Sequence, residues 1–188
     1  AYLLRKAYDN GITYFDTARF YTDSEEKMGY ALSDIRDKVI IATKTAATNV
    51  TDFWKDLETS LGLLKTDYID MYQFHNPAFC PKPGDKSGIY DAMLEAKEKG
   101  LIRHIGITNH RHHIAKEAIE SGFYETLQFP FSYISSDKEL ELVHGKKISY
   151  FILPSSKNRR FRKSQHKSLW HNVYSQCLPD IVHIHGTE

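Results

Sequence analysis

The chain is short of several features that would have settled its class at once. Two cysteines in 188 residues, Cys80 and Cys177, are too few and too far apart for a disulfide framework, and no Cys-x-x-Cys pair suggests zinc. No apolar run approaches the roughly 20 residues needed to cross a bilayer, so no membrane partner is expected. Lys and Arg number 25 against 24 Asp and Glu, a formal charge of +1, and no overall field draws nucleic acid. The opening AYLLRKAYDNG has neither the apolar core nor the small-residue cleavage site of a signal peptide. A reducing cytoplasm is therefore the default setting. No strand candidate runs into the glycine-rich phosphate turn of a classical dinucleotide fold. Three histidines, His110, His112 and His113, crowd a helix start, but adjacent positions there do not converge on one ion, and no metal is expected.

What is present is a globular composition, 41% hydrophobic and 13% aromatic, enough to bury a sizeable core in one domain over 1–188. Leu3, Leu4, Ala7 and Tyr8 share a face in a helix over 2–10 that Asn10-Gly11 ends. A strand over 12–15 follows, then a helix from Ser24 with Glu25 and Glu26 in its first turn. The β-branched run at 39–42 has the length of a strand buried on both faces. Thr51-Asp52 is expected to cap a long helix, followed by a strand over 68–74 and a proline-rich loop, NPAFCPKPGDKSG, of the kind that borders a functional face. Helix 89–99, strand 102–107, helix 113–121, strand 126–131 and helix 138–143 complete the regular part. Strand and helix thus alternate with short connections, which implies parallel strands and right-handed crossovers.

Two architectures satisfy that alternation, an open doubly wound sheet and a closed barrel. The barrel is favoured because consecutive apolar runs each end on one ionisable group: Asp16, then Lys44, then His75. An open sheet concentrates its chemistry at one switch point instead. Tyr21 follows Asp16 by five positions. A phenol becomes a useful acid when a nearby cation stabilises phenolate, which Lys44 can do, with Asp16 holding Lys44 and His75 orienting a substrate oxygen.

The stretches NGITYFDTARFYTDSEEKMGYAL, VIIATK, SLGLLKTDYIDMYQFH, EKGLIRHIGITN and LQF resemble, in order and spacing, the aldo-keto reductase family over roughly residues 1–145. The resemblance implies an α/β fold, a (β/α)8 TIM-type barrel, here expected to be incomplete, with the first strand and the last helices missing. It also implies reduction of a small aldehyde or ketone by NADP or NAD. The tetrad falls on Asp16, Tyr21, Lys44 and His75: Tyr21 as proton donor, Lys44 lowering its pKa, Asp16 paired with Lys44, and His75 at the carbonyl. Nicotinamide carboxamide contacts fall on Asn109 and Gln128, with Thr108 where relatives usually carry serine. Tyr150 or Phe151 would supply a ring against the nicotinamide.

From about 145 to 188 the sequence diverges. A seventh strand is expected at 148–153 and an eighth at 181–184, but the segment between is basic, with Lys157, Arg159, Arg160, Arg162 and Lys163, and resembles a shifted reading frame. A barrel short of strands exposes edges, so a homo-oligomer is one way to cover them. A second class of function stays open, a cofactor-binding or partner-binding barrel without turnover.

Overall fold

A computed structural model of the chain describes residues 1–130 and the backbone of 149–152. The order is α1 (Tyr2–Asp9), β1 (Tyr14–Asp16), α2 (Ser24–Leu32), a 3-10 segment (Ser33–Lys38), β2 (Ile40–Thr45), α3 (Val50–Leu64), β3 (Ile69–His75), α4 (Ile89–Glu98), β4 (Ile102–Thr108), α5 (His112–Ser121), β5 (Thr126–Phe129) and β6 (Ser149–Ile152). All six strands join one sheet in chain order, and every pairing is parallel. A doubly wound sheet would reverse its order at some strand. Among the described residues it does not, so the described helices lie on one side and the sheet curls into part of a (β/α)8 barrel. The expected helix 138–143 and strand 181–184 lie outside the described residues.

Several boundaries move, and each has a local cause. Strands β1, β2 and β3 run on to include Asp16, Lys44 and His75, because ladder bonds continue past the apolar residues. The cap of α3 is Asn49 rather than Thr51-Asp52. Its extended backbone lets the side chain accept a hydrogen bond from the Asp52 amide at 2.9 Å, and Thr51 and Asp52 are already helical. Gly122 closes α5 in the left-handed region at φ 69°, where a Cβ would be strained. Gly29 serves a different need. A Cβ there would run into the Leu63 carbonyl, so glycine is what lets α2 lie against α3.

Alternation along the strands divides the residues between two sides. Phe15, Ile41, Tyr72, Phe74 and Ile107 pack outward with Met28, Leu32, Phe53, Leu57, Leu64, Met93 and Ala115 of the helices. Tyr14, Ala42 and Met71 form a smaller cluster on the other side, inside the curl. Trp54, expected to be a packing residue, meets Phe53 edge to face and lies under the Lys99 ammonium.

The N-terminal strand ends are stapled by charge. Buried Asp70 accepts from Arg36 at 2.5 Å, from Arg103 at 2.9 Å and from the Ile41 amide at 3.0 Å. The Tyr68 ring meets both guanidiniums, at 4.0 and 3.8 Å from its centroid. One carboxylate therefore joins β2, β3, β4 and the 3-10 segment. Removing it strands a buried guanidinium, and breaking such a pair is costly. Asp70→Ala should lower the unfolding free energy by about 3 kcal/mol in urea denaturation. An unchanged midpoint and slope would show that the staple is dispensable.

Candidate functional site

At the other end of the strands the interior face carries polar groups. Paired residues of a parallel ladder share a face, so one row runs Lys44, Gln73, Gly106, Thr126 and the next His75, Thr108, Gln128. Asp16 pairs with Ala42, the residue that directly precedes Lys44 on that face. Short connections bring the loop bearing Tyr21 back over these ends: Thr17 N–H donates to Ala42 O at 2.9 Å and Arg19 N–H to Lys44 O at 3.1 Å.

The centre is an ion pair. Lys44 Nζ lies 2.7 Å from Asp16 Oδ2 and donates to the Thr17 carbonyl, also at 2.7 Å. Both side chains are almost fully buried, Lys44 at 1% exposure. An ammonium has three hydrogens, and two are used here. The same Nζ is 5.6 Å from the centroid of the Tyr21 ring. The Tyr21 ring stands edge-on to His75 at 5.8 Å, and exposed Phe20 flanks His75 at 6.2 Å. Asp16, Tyr21, Lys44 and His75, drawn from three strand ends and one loop, are thus brought together.

Burial decides the protonation states. The Tyr21 phenol is pushed above its ordinary value, first by burial and then by the Asp16 charge. The expected lowering by Lys44 is not among the causes acting on Tyr21 in this structure, where burial and Asp16 both favour the protonated phenol. His75 is driven down to about 4, first by burial and next by the neighbouring Lys44 charge, against a smaller opposing pull from Asp16. At neutral pH Tyr21 keeps its proton and His75 is an uncharged imidazole. Its Nδ1 is buried without a partner.

The three further positions sit beside the tetrad. Gln128 reaches Asp16 Oδ2 with its Nε2 at 3.4 Å, and its Oε1 is buried without a partner. Asn109 is fully buried and partly committed: its Nδ2 donates to Pro77 O and its Oδ1 accepts from the Arg111 amide, both at 2.8 Å. One amide hydrogen and one lone pair are left over. Thr108 ends β4 opposite His75. Of the two aromatics expected near a nicotinamide, Phe151 holds the register position beside Gln128, and Tyr150 pairs with Leu127.

Sequence reasoning did not single out Gln73, whose amide nitrogen and oxygen are both buried without partners, or Thr126, whose hydroxyl is in the same condition. A polar residue between apolar neighbours at an interior register position was the available signal. A Cβ on Gly106 would collide with that Thr126 hydroxyl and press on the Gln73 side chain, so glycine keeps the two rows open to each other. Among the described residues no group of three His, Cys, Asp or Glu side chains could hold a metal, and no helix is long and apolar enough to cross a membrane.

A singly wound parallel sheet with ionisable residues gathered at the C-terminal strand ends has the arrangement of part of a (β/α) barrel. The family model of the aldo/keto reductases matches residues 1–143, and the chain belongs to that family. It is 32% identical over 165 residues to the oxidoreductase YqkF of Bacillus subtilis, covering 78% of this chain and 52% of the relative. It is 36% identical over 126 residues to the methylglyoxal reductase DkgA of Yersinia pestis, covering 65% and 44%. The holo form of aldo-keto reductase AKR11C1 from Bacillus halodurans superposes with a TM-score of 0.70 at 25% identity, over 80% of this chain and 55% of that one. The chain spans about half the length of the curated relatives it matches.

The His75 environment generates a pH prediction. Unfolded, the imidazole takes its proton near 6.5, and folded only near 4. A depressed folded value means the stabilisation is complete above the unfolded pKa and is lost as pH falls toward the folded one. The His75 resonance should titrate with a midpoint near 4, and wild type should lose about 2 kcal/mol more than His75→Asn between pH 7 and 4, partial exposure having been allowed for. A midpoint near 6.5 would remove the desolvated imidazole.

Proposed function

We propose that this chain carries the site of an NAD(P)H-dependent reductase that turns a small aldehyde or ketone into the alcohol. The observation that carries the reading is the buried Lys44–Asp16 pair set beneath the Tyr21 ring, with neutral His75 edge-on to it. A reduced nicotinamide, when bound, supplies the hydride for the carbonyl carbon. The protein's part is to bind, to orient and to move one proton.

Tyr21 is the proton donor to the carbonyl oxygen. Its raised pKa keeps the proton in place at neutral pH, and the negative charge left behind faces the Lys44 ammonium. Asp16 and Thr17 O hold that ammonium in one orientation. His75, uncharged, shares the carbonyl oxygen with Tyr21 through a hydrogen bond and adds no competing cation. The phenolate is reprotonated from water, so the balance is one carbonyl, one hydride and one proton in, one alcohol out.

The polar groups beside the tetrad fit a nicotinamide carboxamide. Gln128 Oε1 is a buried acceptor without a partner, the remaining N–H and lone pair of Asn109 suit an amide, and Thr108 adds a hydroxyl on the same face. A structural relative solved in holo form supports cofactor binding, and that fit is what favours a nicotinamide. Methylglyoxal, the substrate in the name of DkgA, is the first carbonyl to try. A chemistry fed by reduced dinucleotides, together with buried free Cys80, suits a cytoplasmic setting.

The test is to titrate the purified chain with NADPH and NADH and follow their oxidation with methylglyoxal and a simple aromatic aldehyde. Tyr21→Phe should cut kcat by about 10²–10⁴-fold and leave the dinucleotide Kd unchanged. Full turnover in that variant would end the mechanism. Tight dinucleotide binding with no turnover on either carbonyl by wild type would favour a sensing barrel.

A further inference from the structure

One buried charge is not used by the tetrad. Glu25 sits in the first turn of α2, where an acidic side chain ordinarily faces water and the helix dipole, yet it is only 1% exposed. Its Oε1 accepts from the Thr43 hydroxyl at 2.6 Å, and its Oε2 is paired with the Arg19 guanidinium. Thr43 is the residue before Lys44. Arg19 is two residues before Tyr21. A single carboxylate is therefore bonded to the strand that carries the cation and to the loop that carries the phenol.

The loop between them is under strain. Thr22, directly after Tyr21, has φ 40°, in the left-handed region that a β-branched residue rarely adopts. Such a conformation persists only where its surroundings over-determine it. Here Arg19 lies before the strained residue and Glu25 after it, so their ion pair closes across it, and the Thr17 hydroxyl adds a second tie by donating to Ser24 Oγ at 2.7 Å.

We propose that Glu25 is a positioning residue of the site, holding Tyr21 in place over Lys44 by gripping Arg19 and Thr43 together. The proposal rests on the reductase reading above for its kinetic consequence. Glu25 acts through the Tyr21 loop and touches none of the tetrad in a hydrogen bond or ion pair. Removing its grip should misplace the phenol and spare dinucleotide binding, since Thr108, Asn109 and Gln128 belong to β4, β5 and the turn after β4.

The experiment uses the full chain with Glu25→Ala, Glu25→Gln, Arg19→Met and the double variant Arg19→Met with Glu25→Gln. Glu25→Ala should lower kcat by about 10²-fold, the loss that follows from a misplaced catalytic group, with the dinucleotide Kd unchanged. Glu25→Gln keeps an acceptor for Thr43 and should fall between Glu25→Ala and wild type. The double variant should be no worse than its more affected parent, because both substitutions break one contact. Amides of residues 17–23 should exchange faster in Glu25→Ala while those of β3 and β4 keep wild-type rates. An unchanged kcat, or a fall matched by equal loss of dinucleotide affinity and faster exchange throughout, would overturn the proposal. If Glu25→Ala does not fold, the isosteric Glu25→Gln is held to the same criteria. A wild-type chain that reduces no carbonyl would remove the reductase reading, and the exchange rates would still decide whether Glu25 holds the loop.

Discussion

The ion pair between Lys44 and Asp16 is the constraint on which the rest of the site depends. Taking an ammonium and a carboxylate out of water costs several kcal/mol for each, and the cost is offset only when the partners meet in good geometry with further hydrogen bonds. Here the two meet at 2.7 Å and the ammonium also bonds the Thr17 carbonyl. The meeting depends on register. Asp16 pairs with Ala42, which places Lys44 two residues further along the same face. A slip of one residue between β1 and β2 would turn one of the two charges outward into the apolar layer beneath the helices, so the charge pair and the strand register specify each other.

The two ends of the strands treat polar groups in opposite ways. At the N-terminal end Asp70 uses both oxygens, on two guanidiniums and a backbone amide, and Arg36 bonds in addition to Thr66 Oγ1, Val39 O and Tyr68 O. At the C-terminal end Asp16 Oδ1, Gln73, His75 Nδ1, Thr126 Oγ1 and Gln128 Oε1 are buried without partners. Buried donors and acceptors left unmatched weaken a fold by about 1–3 kcal/mol each. On the reductase reading, a bound cofactor and substrate would satisfy several of them.

What the sequence made legible was the part governed by simple periodicity. Each apolar run ended on an ionisable residue, and in the fold Asp16, Lys44 and His75 do lie together because parallel strands bring like ends to one rim. The α3 cap was less readable: TNVTD holds several capping residue types, and only the extended backbone at Asn49 decides among them. The protonation states were not readable at all, since the rise at Tyr21 and the fall at His75 come chiefly from burial, which no spacing reports. Glu25 was hidden for the same reason. In sequence it is an ordinary first-turn acid beside Glu26, and only the fold turns it inward onto Thr43 and Arg19.

These states make the resting site nearly neutral. Tyr21 keeps its proton, His75 lacks one, and the two full charges present, on Lys44 and Asp16, cancel at short range. Neutrality at rest matters for charge that develops later. If Tyr21 gives up its proton as proposed, the negative charge would form near a cation already oriented by two acceptors, so little reorganisation would accompany it. The same charge forming on a phenol beside an unpaired lysine would meet a side chain free to turn toward water. In the proposed mechanism, Asp16 and the Thr17 carbonyl would keep the ammonium fixed beside the ring when that charge forms.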